Sequence, residues 1–176
     1  FGKTEDVVSY YLSGSDSKKT EVAWEKPLGD DVAVLTSARL INEDGKHLPF
    51  VTTTQQIGIE LSYEVLKTGF VPLPNIHVFT SRAETAFISV ADYNESLGKP
   101  GKRKSIVWIP SHLLNEGRYT IGIALSNMLP LRVHAYAQDA LTFDVVENIE
   151  TAEKMDFNQR LPGVVRPKLA WTITSI

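Results

Sequence analysis

In the stretch 117–127, large apolar side chains fall on every second position: Tyr119, Ile121, Ile123 and Leu125, with Arg118, Thr120, Gly122, Ala124 and Ser126 between them. A strand turns successive side chains to opposite faces, so this spacing puts all four large residues on one side. That side has to be covered. Full burial of each such side chain stabilises a fold by about 1.5–3 kcal/mol, an upper bound because an unfolded chain is already partly collapsed. The same pattern recurs over 56–66, where Ile57, Ile59, Leu61, Tyr63 and Val65 alternate with Gly58, Glu60, Ser62 and Glu64. Two half-buried antiparallel strands of this kind call for a sheet with one wet face and one packed face.

The rest of the chain fits that requirement. Short strands are predicted at 22–25, 32–42, 76–81, 86–90, 105–109, 131–138 and 140–146, with an edge piece at 50–52. Asp44-Gly45 marks a hairpin, and Pro72, Pro74 and the Gly/Pro-punctuated segment 94–104 break the chain between strands. At least eight strands with no alternating helices predict an all-β, antiparallel sandwich. Ahead of it, Thr4 can cap a short helix that buries Val7, Val8, Tyr11 and Leu12, and residues 13–20 have linker composition. The expected division is therefore 1–20 as helix and linker and 21–176 as the sandwich. At the far end, the polar stretch 149–160 and the bends at Pro162 and Pro167 precede a lone strand at 168–173, placed either to fold back or to be exchanged with a neighbour.

Composition narrows the function classes. The 176 residues carry 18 Lys and Arg against 21 Asp and Glu, a formal charge of −3, which argues against nucleic acid as a partner. There is no cysteine, so neither disulfides nor thiolate metal sites contribute, and a reducing compartment is expected. No run is long enough to span a membrane as a helix, and a chain that opens on Phe1 is expected to be part of a longer protein. His47, His77, His112 and His134 lack metal spacing, Asp30-Asp31 reads as a solvated turn before a strand, and no nucleophile elbow or phosphate loop is present. No metal, cofactor or catalytic group is expected. Lys99, Lys102, Arg103 and Lys104 read as a basic loop leading into a strand.

The outward faces hold the one constellation that suits a ligand. Arg118 and Thr120 flank the small Gly122, Ala124 and Ser126; the following strand is expected to turn His134 and Tyr136 outward, and an earlier one His77 and Phe79. If these strands share a sheet, small residues make a floor and aromatic and hydrogen-bonding side chains make walls, an arrangement that suits a sugar. The plain alternative is an ordinary solvated face, with His77 and Phe79 packed as a second core.

Three stretches resemble a known family. Residues 5–12 (Glu5 to Leu12) resemble the segment closing the ATPase domain of polysaccharide-exporting ABC transporters. Ile109-Pro110, Leu113-Leu114, Gly117 and Tyr119 are similar to the I-P-x-x-L-L-x-x-G-x-Y signature of the Wzt-type C-terminal domain, and Gly163, Pro167 and Trp171 to a G-x-x-x-P-x-x-W ending, from which this chain departs by one extra residue between Pro167 and Trp171. The resemblance implies an immunoglobulin-like β-sandwich that recognises a lipid-linked O-antigen or similar polysaccharide for export. It places the domain in the cytoplasm at the inner face of a bacterial inner membrane, beside a membrane subunit bound through the parent protein. It also implies a homodimer, in some members formed by exchange of the C-terminal strand. The ATPase motifs are absent here, so hydrolysis is not expected of this chain. A sandwich that only dimerises or docks is the competing reading.

Overall fold

Nine strands carry the chain: β1 (Glu21–Gly29), β2 (Ala33–Ile41), β3 (Val51–Thr52), β4 (Ile57–Val65), β5 (Leu73–Thr80), β6 (Thr85–Val90), β7 (Gly101–Ile109), β8 (Gly117–Met128) and β9 (Leu131–Val146). The computed structural model describes residues 18–147, 162–167, 169 and 171–174. The helix expected over 4–12 and the polar stretch 149–160 lie outside the described residues.

The strands form two sheets, one ordered β1-β2-β4-β7 and the other β3-β9-β8-β5-β6. Every pairing is antiparallel except the two-residue contact of β3 with β9. The alternation read from the sequence decides which faces meet. Ile57, Ile59, Leu61, Tyr63 and Val65 of β4 and Tyr119, Ile121, Ile123 and Leu125 of β8 all belong to one buried cluster between the sheets, joined by Leu35 and Leu40 of β2 and Leu141, Phe143 and Val145 of β9. The result is an all-β sandwich.

Tyr119 ties this core to the end of the sandwich. Its buried hydroxyl lies 3.0 Å from the carbonyl of Asn115 and 2.9 Å from that of Val164, and it donates into this pair of acceptors. A tyrosine bonded to backbone a few residues upstream is a recurrent corner device in sandwiches. Here it also fixes the segment 162–167: Asn115 N–H donates to the Val164 carbonyl, Arg166 N–H donates to that of Leu113, and the Arg166 guanidinium pairs with Glu147. Residues 169 and 171–174 join no strand, and Leu169, Trp171 and Ile173 stand 67–90% exposed.

Three expectations about element limits change. Lys102, Arg103 and Lys104 sit in β7, not in a loop: Lys102 and Lys104 take the wet face, where Lys104 pairs with Glu60 across the sheet, while Arg103 turns to the other side and donates to the carbonyls of Ser96, Leu97 and Lys99. The two strands expected at 131–138 and 140–146 are one, β9, whose pairing with β8 shifts register between Ile121 and Ile123 and continues. β5 begins at Leu73 and includes Pro74, placed one residue into the strand, where its missing N–H is tolerated.

Candidate functional site

β8 lies between β9 and β5 in the second sheet, and the pairing sets which side chains stand together on its outer face. His77 lies opposite Gly122 and Phe79 opposite Thr120 from the β5 side, while Tyr136 lies opposite Ala124, and Asp144 opposite Arg118, from the β9 side. Beyond β5, Ile88 and Val90 of β6 sit opposite His77 and Asn75 and are 53% and 42% exposed.

Gly122 decides the shape of this face. A Cβ there would come within 3.2 Å of the Phe79 ring, 3.3 Å of the Tyr136 hydroxyl and 3.1 Å of the Gln138 carbonyl. The absent side chain lets those rings lie down over the backbone. The His77 ring is 6.2 Å from Phe79, nearly parallel at 27°, and 5.6 Å from Tyr136. Gly122 is therefore buried beneath rings, with Ala124 buried beside it, and the face is an aromatic platform where the sequence suggested an open groove with a small-residue floor.

Hydrogen bonds hold the platform's polar groups in register. The Asn75 side-chain oxygen can only accept, so at 3.0 Å the His77 Nε2–H donates to it. The Asn75 amide donates in turn to the Leu73 carbonyl and the Ser126 hydroxyl. Thr120 and Thr142 hydroxyls are 3.5 Å apart, and Arg118 makes a two-pronged pair with Asp144 at 2.9 and 3.3 Å. Arg118 and Lys18 together hold the Asp144 carboxyl below its ordinary range, the Arg118 hydrogen bond being the largest cause and outweighing burial.

Of the six residues expected to line the site, the structure gathers His77, Phe79, Thr120 and Tyr136. Arg118 shares the face toward its end and is engaged by Asp144. His134 is elsewhere. Leu125 pairs with Ala135 but Ser126 with Val133, so His134 is the extra residue of a bulge, and Val133 takes the outward position. The His134 side chain is fully buried, its Nδ1 is 3.0 Å from Asp30 Oδ2, and its ring meets Phe70 edge-on at 5.6 Å. Burial alone would raise the Asp30 pKa; the His134 hydrogen bond and the backbone N–H groups of Val32 and Ala33 more than offset it and bring it down to about 2. An ionised carboxylate only accepts, so Nδ1 carries the proton.

Reasoning from the sequence missed Asn75, Ile88, Val90 and Asp144. Asp144 could be found only from the pairing of β8 with β9, which two register shifts hide. Among the described residues no cluster of three or more His, Asp or Glu is placed to hold a metal ion, and no helix is long and apolar enough to cross a membrane.

Comparison with known proteins places the fold. The family model described as the Wzt C-terminal domain matches residues 26–165. A solved structure described as the crystal structure of the C-terminal domain of Wzt is 17% identical, with a TM-score of 0.65 over 89% of this chain and 93% of that one, a likeness that bears on the fold alone. No curated protein gives a match. The family model spans both sheets and all but the start of β1, and the chain belongs to the Wzt C-terminal domain family.

Proposed function

We propose that this domain is a non-enzymatic module that binds polysaccharide on the outer face of the β9-β8-β5-β6 sheet, as part of an ABC transporter that exports an O-antigen or similar glycan. The observation that carries the reading is the ring cluster of His77, Phe79 and Tyr136 laid over Gly122, bordered by the hydroxyls of Thr120 and Thr142. A sugar presents C–H groups on one side of its ring and hydroxyls at its rim, and such a surface offers both an apolar plane and neutral hydrogen-bonding groups. Family membership supports the transporter setting, the membrane subunit reached through a parent protein, and a place at the inner face of the bacterial inner membrane. The domain proper is taken as residues 21–176. Titration with polysaccharide purified from the source organism should saturate, and Tyr136→Ala, at a site already 42% exposed, should weaken binding about tenfold while leaving the fold intact. Undiminished affinity in that variant would remove the platform from the reading.

A second role rests on a separate observation. Leu169, Trp171 and Ile173 repeat with the period of a strand and lie exposed, which favours pairing of this tail with a second copy to make a homodimer. Light scattering should then give a dimer that becomes a monomer when residues 158–176 are deleted; a monomer in both cases would dismiss the exchange. If the isolated domain shows no saturable glycan binding, dimerisation or docking is its whole function.

A further inference from the structure

β6 ends one sheet and β7 ends the other, so along this margin of the sandwich no described strand closes the gap between them. Each pairs on one side only, β6 with β5 and β7 with β4, which leaves the outward N–H and C=O groups of both edges without ladder partners among the described residues. Edges of this kind are ordinarily guarded by charge, as β7 is at Lys102 and Lys104. From Ser105 to Trp108 it carries none.

Opposite that uncharged stretch lies the end of β6, and the two bound a slot of 290 Å³. This is near the lower end for small-ligand sites and has room for about one sugar ring. Trp108 forms part of its wall. One side of the indole rests on Gly58, where a Cβ would sit only 2.7 Å from the ring, and the side chain is 38% exposed. Ser89 is half-buried and Asp92 exposed, and neither side chain has a hydrogen bond or ion pair among the described residues. Among the described residues the Ser105 hydroxyl has one side-chain partner, the Tyr63 hydroxyl at 3.5 Å. An indole plane, hydroxyls, a carboxylate and free edge amides make a set that suits a polyol. Among the described residues no Lys, Arg or His lines the slot, and Asp92 repels anions, so an uncharged ring is favoured over a uronic or phosphorylated one.

The slot and the aromatic platform share a supporting residue. Asn75 lines the slot and also holds His77 through its side-chain oxygen, and Val90, its cross-strand neighbour, borders both. From β9 to β6 is three strand spacings, about 14 Å. A glycan lying across Tyr136 and His77 would need several further sugars to turn over this margin.

We propose that the slot between β6 and β7 is a second subsite that takes a neutral sugar unit of the same glycan chain lying on the platform. This rests on the carbohydrate reading above and adds a requirement for chain length. Two contacts on one ligand raise affinity through effective concentration, so fragments long enough to reach both subsites should bind about tenfold tighter than short ones.

The test uses the full chain and size-fractionated fragments of the polysaccharide purified from the source organism, with binding read by calorimetry. Ser89→Tyr fills the slot and Asp92→Lys reverses its charge. Both should abolish the advantage of long fragments and leave short-fragment affinity unchanged, whereas Tyr136→Ala should weaken both. If the long-fragment advantage survives Ser89→Tyr and Asp92→Lys, the subsite is overturned and the platform stands. The slot becomes a protein contact instead, and the subsite is likewise overturned, if these variants alter only the oligomeric state. Failure of any fragment to bind the unaltered chain overturns both readings.

Discussion

The two outer faces of the sandwich use the same device to different ends. On the β1-β2-β4-β7 sheet, Trp108 covers Gly58 and packs beside Ile41; on the other, Phe79 and Tyr136 cover Gly122. Around Gly58 the polar groups are charged and satisfy one another: Glu60 accepts from Arg39 at 2.8 Å and pairs with Lys104 at 3.2 Å. Burial would raise the Glu60 pKa, and the hydrogen bonds from Arg39 and Lys104 outweigh it to hold it low. Around Gly122 the rings are bordered by hydroxyls and an imidazole, whose hydrogen-bonding capacity is only partly used among the described residues. A ladder of mutually paired charges leaves a sugar nothing to compete for except water, whereas neutral groups beside an aromatic plane do. The pairing of neighbours separates a solvated face from the face proposed to bind, and polarity alone does not.

Substitutions can break this contrast. The largest effect is expected from His134→Ala, which removes a buried ring from Phe70 and the hydrogen bond to Asp30; chemical denaturation should show a loss of about 2–4 kcal/mol with glycan affinity unchanged. If affinity fell while stability held, His134 would belong to the ligand face and the contrast would dissolve. A smaller pair of effects sharpens it. At Gly58 an added Cβ meets Ile41 at 2.6 Å and the Trp108 ring at 2.7 Å, so Gly58→Ala should cost about 1–3 kcal/mol in stability and spare the affinity for short fragments. Gly122→Ala meets its neighbours at 3.1–3.3 Å, a milder crowding that lifts Phe79 and Tyr136; it should cost less than about 1 kcal/mol and weaken binding several-fold. Equal affinity losses in the two alanine variants would mean that neither face is special.

The sandwich was legible wherever a strand kept its period. β4 and β8 alternate without interruption, so the core side of each could be read directly, and Tyr119 falls on that side as expected. Legibility failed at register. Within β9 the period is broken beside Leu125 and again beside Gly122, and a bulge is defined by the neighbouring strand, not by the residues that form it. His134 was therefore assigned outward with Tyr136, when it is itself the extra residue of the bulge and turns inward. The His77, Phe79 and Tyr136 cluster was legible because Tyr136 lies between the two shifts of β9, where alternation holds, and His77 and Phe79 lie on β5, whose pairing with β8 keeps its register. The rings lying down over Gly122 were not, since a glycine in a strand reads equally as open floor or as a seat for another side chain.

The beginning of the described chain has a mechanical consequence. Before it enters β1, Lys19 exchanges both backbone hydrogen bonds with Thr142 of β9, and Lys18 lies 3.5 Å from Asp144. The segment expected to be a slack linker thus ends as a rivet on the strand that carries Tyr136. A pull or twist applied upstream of residue 18 loads β9 first, at the position beside Thr120 and Arg118, before it reaches the sheet to which β1 belongs. Strand β9 and the residues that enter β1 are thus mechanically joined, with Thr142 as the fulcrum.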